Sequence, residues 1–153
     1  MSESEENVEN QADAQEALLF YRALRDFFVK DPRSMIWVLH VVADETSDAL
    51  KEADSPSNEI QQLMGRIDTV QELFWNHDRY DIVLNTIIKS DVQQAFMRAI
   101  ALLADAYSMI KGDGSLDTSA LRDRLDDATH ILYAILKAVI DMGEAKTCEN
   151  QDP

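Results

Sequence analysis

The chain has 153 residues, with 29 acidic and 14 basic side chains and a formal net charge of −15. That length suits one domain, which at this size can bury a sufficient core without disulfides or metal staples. The charge disfavours direct nucleic-acid binding, which needs cations to displace counterions from phosphates, and it disfavours anionic membranes for the same reason.

Four Gly and three Pro leave few turns, which favours a few long helices over many short strands. The single cysteine, Cys148, can form no internal disulfide and points to a reducing compartment. The start, Met1-Ser-Glu-Ser-Glu-Glu, is acidic where secretory leaders are basic. No apolar run is long enough to span a bilayer, so a cytoplasmic location with no membrane contact is expected.

Residues 1–13 carry Glu3, Glu5, Glu6, Glu9 and Asp13 and no basic residue, the composition of a disordered acidic arm. A first helix is expected from Ala14 to Lys30, with Ala17, Tyr21, Leu24 and Phe28 on one stripe and Leu18, Phe20 and Phe27 widening it. Asp31-Pro32 breaks it, and Pro32 suits the first turn of a second helix reaching Ala53. The buried line of that helix is Met35, Val38, Leu39, Val42, Thr46 and Ala49.

Asp54-Ser-Pro-Ser is the clearest turn. The third helix follows from Ser57 to Trp75, with Ile60, Leu63, Ile67, Val70 and Phe74 spaced by threes and fours. Asn76 ends it, and Asp78 is placed to cap a short fourth helix over Arg79 to Lys89. Ser90 with Gln93 has the pattern of a capping box for a fifth helix reaching Ile110. Its seam is Val92, Phe96, Ala99, Leu103, Ala106 and Ile110.

Lys111-Gly-Asp-Gly-Ser is the second sharp break, and Asp117 or Thr118 can cap the last helix. That helix carries the strictest seam: Leu121, Leu125, Ala128, Leu132, Ile135, Val139 and Met142. Ile131, Ala134, Leu136, Ala138 and Ile140 widen it, leaving His130, Tyr133, Lys137 and Asp141 on a narrow polar strip. Helices of this kind pack as bundles. The fold expected is therefore all-α, a single-domain bundle of about six helices with a long, largely buried C-terminal helix. The bundle spans residues 14–142, and residues 143–153 are expected to form a flexible tail.

Few motifs carry chemistry. Gly112-Asp-Gly-Ser-Leu-Asp resembles the second half of an EF-hand calcium loop, but the register puts Met109 and Lys111 where carboxylates belong and Ala120 where the bidentate Glu belongs. His40 with Asp44, His77 with Asp81, and Asp127 with His130 each offer two ligands where a metal needs at least three. Solvated ion pairs and caps account for them. No catalytic residue, metal or cofactor is expected. There is no Gly-x-Ser-x-Gly nucleophile elbow and no glycine-rich phosphate loop.

The segment Leu73-Phe-Trp-Asn-His-Asp-Arg-Tyr gathers Phe74, Trp75, His77, Arg79 and Tyr80 at one corner. Aromatic and Arg side chains of this kind dominate interface energetics, so these five are candidate partner-binding residues. Plugging the bundle end is the plainer role for Phe74 and Trp75, with Arg79 paired to Asp78 or Asp81. Arg22, Arg25, Lys30 and Arg33, flanked by Phe20 and Phe27, form a rival surface that could also receive the acidic arm.

The expected function is a non-catalytic protein-binding module, an adaptor or inhibitor, acting through an acidic helical surface. Its expected partner is a protein with a basic surface. A sharper form is mimicry of nucleic acid to block a basic cleft. Two alternatives stand beside it. One is an all-α, magnesium-dependent nucleotide pyrophosphatase, using the i, i+3 pairs Glu45 with Asp48 and Asp123 with Asp126. The other is a homodimer or larger structural homo-oligomer joined through Ile131, Ala134 and Ala138 of the last helix.

Overall fold

The structure, a computed structural model, describes residues 19–20, 22–53, 57–76, 78–112 and 114–151, with backbone alone at residue 90 and residues 144–151. Among the described residues there are six helices and no strand. They are α1 (residues 22–30), α2 (Pro32–Glu52), α3 (Asn58–Phe74), α4 (Tyr80–Ile87), α5 (Ser90–Lys111) and α6 (Thr118–Gln151). The expected acidic arm, the start of the first helix with Ala17, Leu18 and Tyr21, and most of the Asp54-Ser-Pro-Ser turn lie outside the described residues.

The apolar seams read from spacing are the core. Met35, Leu39 and Ala49 of α2, Ile60, Ile67, Val70 and Phe74 of α3, and Phe96, Ala99 and Leu103 of α5 are buried. So are Leu121, Leu125, Ala128, Leu132 and Val139 of α6. Helix α2 packs on α3 and α5, and α6 packs on α3, α4 and α5, so α2 and α6 occupy opposite corners of a four-helix square. Thr46 meets Leu103 and Glu52 meets Lys111, which makes α2 and α5 parallel. Arg122 meets Glu59, which makes α3 and α6 parallel. The bundle is two helical hairpins, α2–α3 and α5–α6, laid side by side, with short α4 carrying the chain between them at one end.

Capping explains most of the boundaries. Pro32 opens α2, where its missing N–H is not needed. Ser57 accepts from the Ile60 amide at 3.3 Å, and Asp117 accepts from the Ala120 amide at 3.1 Å, each satisfying a donor at a helix start. Two helices start one residue away from the expected cap. Arg79, not Asp78, is the N-cap of α4, because the Asp78 amide donates to Asn76 Oδ1 in a local turn. Helix α5 takes extended Lys89 as its N-cap, so Ser90, expected in that place, is its first residue. Helix α6 runs past Met142 to Gln151. One glycine, Gly143, costs a helix only about 1 kcal/mol, and Glu, Ala and Lys follow it.

Phe20 and Phe27 differ from expectation. Leu24 and Phe28 point into the core, while Phe20, ahead of α1, and Phe27 on it remain 40% and 42% exposed. No helix of the described residues is long and apolar enough to cross a membrane.

Candidate functional site

The α2–α3 hairpin does not close along its outer edge. Helix α2 presents Trp37, His40, Asp44, Asp48 and Lys51 at steps of three and four, and α3 presents Gly65, Asp68, Glu72 and Trp75 in the same way. These are the two helices' flanking stripes, next to the stripes that enter the core. Between them lies an open groove with a cavity of about 400 Å³, lined by Asp44, Asp48, Asp68 and Glu72 against a single lysine, Lys51. Burial pushes the Asp68 carboxyl up from its ordinary value, and the negative charges of Asp44 and Glu72 push it further, while Lys51 opposes them. The groove therefore holds more negative charge than its own residues neutralise.

One end of the groove is aromatic. Trp75 stacks on His40 with ring centres 5.4 Å apart, and Trp37 lies 6.1 Å from Trp75 and 5.7 Å from His40. Tyr80 meets Trp75 edge-on at 6.3 Å. Trp37 is 54% exposed and Trp75 39%, so ring surface remains open to solvent. Gln71, which is buried, holds this end together. Its amide nitrogen donates to the His40 carbonyl at 2.9 Å and to Asp44 Oδ1 at 3.5 Å, and also meets His40 Nδ1. His40 Nε2 faces Asp44 Oδ2 at 3.4 Å.

The structure separates the residues singled out from sequence. Phe74 is wholly buried, 6.4 Å from Phe96, and plugs the bundle end. Trp75 and Tyr80 join the aromatic end of the groove, whereas Arg79 lies at the N-cap of α4 beside Gly143. His77 lies outside the described residues. Trp37, Asp68, Gln71 and Glu72 are groove residues that motif reading passed over. Arg22, Arg25, Lys30 and Arg33 are all exposed on α1 and the start of α2.

The carboxylates of the pyrophosphatase pattern lie apart. Asp48 lines the groove, Glu45 is exposed on α2 outside it, Asp123 pairs with Arg122, and Asp126 is 3.5 Å from His130. Helices α2 and α6 stand at opposite corners, so the two pairs do not face each other. Among the described residues no three His, Cys, Asp or Glu side chains come together as a ligand set. On α6, Ile131 packs against the core, Ala138 is half-buried and Ala134 is exposed beside Tyr133.

Compared with protein-family models, with curated proteins and with solved structures, the chain matches none.

Proposed function

We propose that this protein is a non-catalytic binding module that seats a basic segment of a partner protein in the α2–α3 groove. The observation that carries the proposal is the coincidence, in one groove, of an uncompensated acidic wall and an exposed aromatic end. Carboxylates facing one another across a cleft repel, and a guanidinium or ammonium between them relieves that repulsion. Tryptophan faces attract the same cations through the ring quadrupole, by about 0.5–2 kcal/mol for each well-placed contact. A flat apolar partner gains nothing from the first feature, and a nucleic acid is repelled by it. A basic cleft that ordinarily holds nucleic acid is one surface with the required chemistry.

The test is isothermal titration with an arginine-rich peptide, a lysine-rich peptide and an uncharged peptide of equal length. The two basic peptides bind and the uncharged one does not. Affinity falls about tenfold or more between low and half-molar salt, because the attraction is screened. The combined substitution Asp44→Asn, Asp68→Asn and Glu72→Gln abolishes the difference. Equal binding of all three peptides, or a triple variant that binds as the natural protein does, would sink the proposal.

A further inference from the structure

The groove does not stop at its acidic part. Beyond Asp68 it continues, with Ser47 and Lys51 shared, into a second cavity of about 230 Å³ bordered by Leu50, Met64 and Gly65. Leu50 and Met64 are almost wholly buried and form its floor. Gly65 borders it on α3, and a Cβ built there meets nothing within 4 Å. Any other side chain at this position would project from α3 into that space. The slot is lined chiefly by carbon, unlike the neighbouring part, where polar and apolar surface are nearly balanced.

From this geometry we infer that the partner segment pairs its basic residue with a large apolar residue, which fills the slot beside Gly65. The inference rests on the reading of the groove as a seat for a basic segment, and it adds a second specificity element. Its occupant is settled by charge and continuity. The apolar slot shares Ser47, Lys51 and Asp68 with the acidic groove, so a basic segment lying along the carboxylates passes its mouth and can place a side chain in it. Gly65 lies in α3 and Trp75, ten residues on, is the helix's C-cap, about 15 Å along the axis. An extended segment advances about 3.3 Å per residue, so the apolar residue falls about three to five positions from the cation that meets the tryptophans.

The test uses a set of peptides, each with one arginine pair and a leucine placed two to six positions away, with serine-for-leucine controls. Binding is measured to the natural protein, to Gly65→Ala and to Gly65→Leu. Both variants should fold, since the position is open and glycine is the poorer helix former. The expected result is a leucine preference of about fivefold to tenfold at a spacing near four. Gly65→Leu should remove that preference while the serine control binds unchanged. If leucine and serine peptides bind the natural protein equally at every spacing, the slot has no such role and the basic seat stands. If no basic peptide binds at all, both readings fall. If Gly65→Leu weakens leucine and serine peptides alike, the slot is part of the path of every segment and the selective role is overturned.

Discussion

The two hairpins of this bundle are built on the same helical spacing and end differently. On α5 and α6 the buried positions include Ala99, Ala106 and Ala128, and among the described residues this pair of helices packs most extensively. Between α2 and α3 the meeting is far less extensive, because the outer facing positions carry Asp44, Asp48, Asp68 and Glu72. Small apolar residues let backbones approach and exclude water. Like-charged carboxylates keep their water and hold the helices apart. The α5–α6 side thus stabilises the fold, and the α2–α3 side is left open to do something else.

Truncation in the shared core, where α5 meets α3, should have the largest effect. Phe96 is fully buried and its ring faces Phe74. Phe96→Ala should cost about 3–5 kcal/mol in denaturant unfolding, because a cavity remains where the ring was. A smaller loss would mean that the core joining the two hairpins is less tightly packed than the buried seams imply.

The junction of the two hairpins should respond less. Thr46 is fully buried, and its hydroxyl approaches the Val42 carbonyl at 2.7 Å and the Leu103 carbonyl of α5 at 3.3 Å. Thr46→Val keeps the shape and removes the donor, so a loss of about 1 kcal/mol is expected. A loss as large as that of Phe96→Ala would place the stability at this junction instead.

The open side should show the smallest change, and with the opposite sign. The Asp68 carboxyl is raised above its ordinary value of 3.8, chiefly by burial and then by Asp44. The folded protein therefore holds that proton more tightly than the unfolded chain. Its favourable contribution is complete below the ordinary value and is lost as pH rises through the raised one. Asp68→Asn should remove this dependence and stabilise the protein at neutral pH by a few tenths of a kcal/mol, the residue being partly solvated. Chemical denaturation across the acid range checks both points. Destabilisation by this substitution would show that Asp68 holds the hairpin together.

The core was legible in the sequence because threes and fours of apolar residues have one dominant meaning. The spacing of Leu121, Leu125, Ala128 and Leu132 places them inside by itself, and all four are buried. The groove was not legible, although its residues keep the same rhythm. Asp44, Asp48, Asp68 and Glu72 look like the solvated faces of two unrelated helices until those helices are known to lie side by side. His40 with Asp44 could be seen as a pair, but Gln71, which joins them from α3, is 27 residues beyond Asp44. Trp75 was visible as an unusual residue, but Trp37, its neighbour in space, carried no local signal.

The protein has two tryptophans, and both stand at the aromatic end of the groove. Their two indole N–H resonances therefore report on that end alone. Following them, together with the amides of Asp44, Asp68 and Glu72, while an arginine-rich peptide is added tests the central claim most directly. Saturable movement of both indole signals and those amides, with the outer face of α6 around Tyr133 and Lys137 unmoved, is the predicted result. Stationary indole signals, or movement confined to α6, would contradict it.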